Sequence, residues 1–253
     1  MDGKKTWPRL TLVGLTLVSI IAAYDVSTLA HEWTHATVAW LLGHKDNPFN
    51  IHYGDWTLLN VNEAVDYQGL FAAGQGIAVA VIGISALITN TVLFLSSLHW
   101  LSKKPVQQRH CLYLLLYWFA LLNISELYSY IPLRTFAATG DVRNFTRGLA
   151  ISPWIVFVPG SLAIGWGIWY FLRKALPPAY EILALDSRFS RRVYLGTTLF
   201  ILFIFFGLTP YHYGPHEANN IWILVSFAIG LGVFFVLNPG AAEAKGEGGK
   251  GGA

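Results

Sequence analysis

The sequence predicts an all-α integral membrane protein of about six transmembrane helices. Three observations carry that expectation. Hydrophobic residues make up 54% of the 253 and charged residues 12%, with a mean hydropathy of +0.47. Soluble domains carry about twice that share of charge. Six apolar stretches are long enough to cross a bilayer, which takes about 20 residues as a helix. Ten Trp and twelve Tyr supply the amphipathic rings that collect at membrane–water interfaces. The lone cysteine, Cys111, can form no internal disulfide. Membrane lipid is the expected surrounding, and no nucleic-acid partner is expected.

The elements follow in order. Lys4 and Lys5 precede an apolar run over 10–43 that outlasts the core of a signal peptide, so it reads as a retained first span. It is too short for two spans and a turn, which predicts one long helix, tilted or kinked near 24–27. Further spans are predicted over 70–98, 111–131, 152–172, 193–209 and 221–238. Between the first two, residues 47–68 show short aromatic and β-branched runs broken by Gly and Asn, the pattern of a small β-hairpin at the non-cytoplasmic surface. Residues 177–190 open Pro-Pro-Ala-Tyr-Glu and suggest a short interfacial helix on the cytoplasmic side. Residues 1–239 thus form one polytopic domain. The stretch 240–253, rich in Gly, Ala, Lys and Glu, reads as a flexible tail. There is no internal repeat.

Basic residues set the orientation. Thirteen of the seventeen Lys and Arg fall on the side of the termini, and four (Lys45, Arg134, Arg143 and Arg147) fall on the other. Both termini are therefore expected in the cytoplasm, and the loops 44–69, 132–151 and 210–220 open together on the far side. The outer part of the first span lies on that side too.

That outer part carries His31-Glu32-Trp33-Thr34-His35. On a helix, H-E-x-x-H puts two imidazoles one turn apart on one face, close enough to grip a single metal ion. The neighbouring Glu32 is then placed to act as general base toward a zinc-bound water. At this composition the pattern arises by chance roughly 0.7% of the time. Ionisable groups in an apolar span also cost several kcal/mol unless paired, hydrated or metal-bound.

A catalytic zinc usually takes three protein ligands and leaves one position open. The candidates for the third are Asp141, Glu126 within the third span, and His212, His216 and Glu217 in the last polar loop. Asp25 lies six residues before His31 and points to the opposite side of the helix. Ligand chemistry and predicted side rank Asp141 first. Asn90, an amide within the second span, reads as a hydrogen-bonding link across the bundle. Arg134 and Arg143 read as interfacial anchors or oxyanion stabilisers.

These residues resemble the site-2 protease family of intramembrane zinc metalloproteases. His31-Glu32-Trp33-Thr34-His35-Ala36 matches the family's H-E-x-x-H and the small residue after it. Ala72-Ala73-Gly74-Gln75-Gly76 stands where the family has a Gly-Pro-x-x-Asn element. Ser129-Tyr130-Ile131-Pro132 followed by Gly140-Asp141 stands where the family has Asn-x-x-Pro and then an Asp-Gly whose aspartate binds zinc. The resemblance covers about 31–145. It implies a zinc site of His31, His35 and Asp141, with Glu32 as the base and a membrane-embedded or juxtamembrane peptide as substrate. The biological role it implies is regulated intramembrane proteolysis. The chain departs from the pattern at Ser129 and Gln75, in the longer stretch between Pro132 and Asp141, and in a Gly that precedes Asp141 rather than following it. Those departures motivate a second expectation: a non-catalytic, protease-like subunit that contacts partner membrane subunits. A transporter is disfavoured because no paired broken helices appear.

Overall fold

The first histidine motif sits on a helix with nothing to interrupt it. From Arg9 to Leu41 the chain holds no Pro and only one Gly, and α1 (Arg9–Leu41) runs unbroken through 24–27. At 1.5 Å per residue it is about 50 Å long, more than the ~30 Å hydrocarbon layer. The computed structural model describes residues 8–55, 58, 60–208 and 217–237. Within them follow α2 (Tyr67–Ala72), α3 (Gly76–Leu101), α4 (Lys104–Gln107), α5 (His110–Tyr128), α6 (Asp141–Gly148), α7 (Trp154–Lys174), α8 (Leu176–Ile182), α9 (Arg188–Leu199) and α10 (Glu217–Val236). The helices α5 and α9 widen at their ends into π-helical turns, Ser129–Leu133 and Phe200–Phe205.

Five of these helical segments are long and apolar enough to cross a membrane. The predicted second span, 70–98, is divided instead. Gly74 takes a left-handed φ of +73° after Ala73 and so ends α2. Only a glycine adopts that conformation without strain, and α3 starts afresh at Gly76. The loop between α1 and α2 contains one antiparallel bridge, in which His52 and Asn62 exchange N–H···O bonds of 2.9 Å. No strand extends from it among the described residues. The helix expected near 177–190 is α8, reached from α7 through the single residue Ala175. The loop carrying His212 and His216 and the tail 240–253 lie outside the described residues.

The helix α5 is the axis of the bundle. Tyr113, Tyr117, Trp118, Leu114 and Leu121 are all fully buried. The helices α1 and α3 close one side of it, and α7 and α9 the other. Tyr117 joins that second side: its ring lies 5.0 Å from Phe171 and 5.1 Å from Tyr194, and its hydroxyl is 2.9 Å from Thr198 Oγ1. Outward, α1 exposes Leu10, Val13, Leu17, Val18 and Ile21, and α7 exposes Leu162, Trp166 and Trp169. An apolar surface of that extent belongs in lipid.

One contact fixes the geometry of the site. The helix α6 lies against α3 where α3 has no side chains to hold it off. A Cβ built on Gly83 would stand 2.9 Å from the backbone oxygen of Asp141, and one on Gly76 would stand 2.9 Å from the backbone oxygen of Gly148. Close backbone approach through small residues is the usual way membrane helices pack. Gly83→Val should therefore displace α6 and lower stability by roughly 1–3 kcal/mol, the range for overpacking. Gly14 has nothing within 4 Å of a built Cβ, so Gly14→Ala should leave the unfolding midpoint in detergent unchanged or slightly raised. Equal midpoints for wild type and Gly83→Val would show that the contact carries no load.

Candidate metal centre

The regular turn of α1 brings His31 and His35 to one face, with their Nε2 atoms 3.2 Å apart. Both rings are nearly inaccessible, at 2% and 1% exposure. Across from them α6 begins at Asp141. Its N-terminal neighbour, Gly140, has φ +108° and turns the chain sharply into the helix. Asp141 Oδ2 lies 3.0 Å from His31 Nε2 and 3.2 Å from His35 Nε2. The sequence-predicted trio is therefore assembled, from segments more than 100 residues apart.

Three ligand atoms at edges of 3.0, 3.2 and 3.2 Å suit a metal ion. A tetrahedral site with bonds of about 2.0–2.1 Å spaces its ligand atoms about 3.3–3.4 Å apart, so the triangle needs little adjustment. Two imidazoles and a carboxylate are also a donor set that zinc takes. Burial opposes ionisation of Asp141, but the two imidazoles outweigh it and hold the carboxyl below the usual carboxylate range. A ligand oxygen is thus kept in its anionic form.

The far nitrogen of each ring is also engaged. His35 Nδ1 donates to the backbone carbonyl of Ile82 on α3 at 2.7 Å. His31 Nδ1 lies 3.5 Å from Glu126 Oε2 on α5. Glu126 also accepts from Asn90 Nδ2 of α3 and, at 3.4 Å, from Ser27 Oγ of α1. The Ile82 carbonyl only accepts, so His35 Nδ1 carries a proton, which leaves its Nε2 as the atom that can serve as ligand. His31 Nδ1 is engaged by Asn90 Nδ2 at 3.2 Å as well as by Glu126, so that ring too turns Nε2 toward Asp141. Glu126, a sequence candidate for third ligand, sits instead behind His31, where it fixes that ring. Asn90 makes the expected cross-bundle link. Tyr130, from the π-helical turn, stacks on His31 with centroids 4.9 Å apart at 20°.

Glu32 is 8% exposed, and its Oε2 has no hydrogen-bond partner among the described residues. It helps to line a cavity of about 440 Å³ that also touches Asp141. Two further groups there escaped the sequence reading. Glu63, from the loop after α1, lies beside Glu32 at hydrogen-bonding range and lines the same cavity. Tyr67, at the start of α2, has a phenol that burial, and then the charge of Glu63, push well above its ordinary range, so it stays neutral. Arg134 and Arg143, read from sequence as anchors or oxyanion stabilisers, both line the same cavity. Asp25 is not among the clustered ligands, and the candidates His212 and His216 lie outside the described residues.

Comparison with descriptions of protein families, with curated proteins and with solved structures finds no match.

The geometry separates ligands from supports. Zinc should bind wild type at one per chain and be lost in the His31→Ala/His35→Ala double variant. Glu126→Gln should keep the site but weaken affinity about 10- to 100-fold, the usual cost of removing a partner that orients a ligand. Elemental analysis and chelator competition measure both. Zinc content equal in wild type and the double variant would remove the histidines from any metal site.

Proposed function

We propose that this chain is an intramembrane zinc metalloprotease, related in mechanism to the site-2 proteases it resembles, acting on a membrane-embedded or juxtamembrane peptide. One observation carries the reading. His31, His35 and Asp141 converge with their ligand atoms 3.0–3.2 Å apart, at the wall of a cavity that Glu32 shares. When bound, zinc would polarise the scissile carbonyl and make water more acidic.

The chain's own residues supply the rest. Ile82 accepts from His35 Nδ1, and Glu126 and Asn90 engage His31 Nδ1, so both rings are held with Nε2 toward Asp141. Asp141 contributes the third donor and neutralises part of the charge. Glu32, whose buried Oε2 is otherwise unpartnered, takes the proton from the attacking water and returns it to the leaving amine. The packing of α1, α3, α5 and α6 buries His31, His35 and Asp141, and that burial strengthens the electrostatic interactions among them. A substrate helix must unwind before its carbonyls are open to attack. The loop between α1 and α2, which carries the single His52–Asn62 bridge, is the segment along which the unwound substrate would pair.

In this reading α10, with its apolar part Ile221–Val236, makes a sixth crossing. Both termini are then cytoplasmic, and the site opens on the far side. The second reading, a protease-like subunit without activity, draws on the departures at Gln75, Ser129 and Gly140. The cavity against Glu32 and Asp141 favours the enzyme.

Glu32→Gln should keep full zinc yet lose at least about 10²-fold in peptide cleavage, the contribution of general acid–base catalysis. A Glu32→Gln protein that cleaves like wild type would exclude Glu32 as the base. One that supports its membrane complex fully, with no substrate accumulating, would favour the subunit. Topology is tested in a Cys111→Ser background with a cysteine placed at Lys45, which should label only from the non-cytoplasmic side. Labelling from the cytoplasmic side alone would reverse the orientation.

A further inference from the structure

The cavity that adjoins the candidate metal centre is not built to receive an apolar helix. Glu32 and Glu63 line one part of it, and Arg134, Arg143 and Arg147 another. An apolar span entering it would strip water from these charges and return nothing, a penalty of several kcal/mol per group. A polar segment would not incur it.

The acids at the cavity already have neighbours within the protein. Asp141 is engaged by the two imidazoles. Asp66 accepts from the Gly69 amide at 2.9 Å and caps α2. Glu63 faces Glu32 and Tyr67. By contrast, Arg143 and Arg147 are exposed and have no carboxylate partner among the described residues. They lie four residues apart on α6 and so share one face.

The guanidinium of Arg147 lies 4.0 Å over the ring of Phe71, on α2. That of Arg134 lies 3.9 Å over Tyr130, the ring that stacks on His31. An aromatic platform orients a planar guanidinium while leaving its edge of N–H donors free, and such a fork matches a carboxylate in a paired, bidentate way. Position ties this feature to the reaction. Arg143 and Arg147 follow Asp141 on the same short helix, their Cα atoms about 3 Å and about 9 Å further along its axis. On that helix the two arginines turn away from the buried ligand atom of Asp141. They nevertheless line the same cavity as Asp141 and Glu32, so a carboxylate held by them lies in the space that adjoins the metal centre.

We infer that Arg143 and Arg147 form a recognition site for a carboxylate of the peptide substrate, so that the protein acts on an acidic juxtamembrane segment rather than on the apolar interior of a transmembrane helix. This rests on the proteolytic reading above and names its substrate class.

The test separates the two. Full-length Glu32→Gln protein, which binds without cleaving, is placed in nanodiscs of zwitterionic lipid. Short blocked alanine peptides carrying a single glutamate, moved through each position, are compared with glutamine counterparts by fluorescence polarisation. At the best position the glutamate peptide should bind at least about tenfold more tightly, as a hydrogen bond to a charged group warrants. Adding Arg143→Gln and Arg147→Gln should bring the ratio near one while leaving the glutamine peptide's binding unchanged. Arg143→Lys should fall between, because it keeps the charge but not the fork.

Equal binding of the two peptides to the protein with both arginines intact overturns the inference, and that comparison needs no arginine variant to fold. An arginine effect that appears only with anionic lipid in the nanodisc, whichever peptide is present, also overturns it and assigns the two residues to phosphate headgroups. Selective binding of the glutamate peptide without cleavage by zinc-loaded wild type upholds the carboxylate site and overturns the protease. Equal cleavage of both peptides does the reverse.

Discussion

The pairing of Asp141 with His31 and His35 inside an apolar bundle is the interaction on which the other contacts depend. A carboxylate that is 8% exposed, among helices whose outer faces are apolar, would be prohibitive alone. Two imidazole nitrogens at 3.0 and 3.2 Å offset that cost. They do so as N–H donors to the carboxylate, and a bound metal ion would take the place of that proton. In either case both rings must present Nε2, a requirement that passes outward to the next layer of residues.

The rest of the core can be followed from there. Ile82 turns its carbonyl to His35 from α3. Glu126 stands behind His31 from α5, and is itself held by Asn90 and Ser27. Thus α1, α3 and α5 meet at one polar knot as well as along apolar seams. The fourth contributor, α6, reaches the knot because Gly83 leaves room for the backbone of Asp141. The left-handed Gly140 then turns the chain so that Asp141 is the first residue of its helix. Dipole and sequence agree there, since an acid in the first turn is favoured. Glu32 and the cavity sit at the edge of the knot, where the closed packing of the bundle gives way to the charged walls of a pocket.

What could be read from the chain follows from the range of the signals. H-E-x-x-H is local: helical periodicity alone places His31 and His35 together and Glu32 beside them. The apolar spans are local in the same sense, and five of them recur as helices long enough to cross. Ligand chemistry and predicted side rank Asp141 first, and the fold brings it to the histidines. The same reasoning left Glu126 as a rival, because burial demands a partner without saying which atom provides it. Only the packing of α5 on α1 puts that carboxylate at Nδ1 rather than Nε2 of the metal-facing side. Glu63 and Tyr67 were not legible. Glu63 lies in the loop after α1 and Tyr67 at the first residue of α2, and nothing short of the fold returns either to Glu32. The break at Gly74 leaves no mark in the hydropathy, because apolar residues flank the turn on both sides. The expected hairpin over 47–68 has one bridge, His52 with Asn62, among its described residues.

The central claim is that one metal ion is held by two histidines of α1 and one aspartate of α6. X-ray absorption at the zinc edge of the loaded, full-length protein tests it most directly. The account predicts a single class of zinc with two imidazoles, nitrogen and oxygen neighbours at about 2.0–2.1 Å, four ligands in all and no sulfur. Its imidazole signal should halve relative to zinc if only one ring binds, and zinc surrounded by oxygen alone, or by one imidazole, would contradict the assignment.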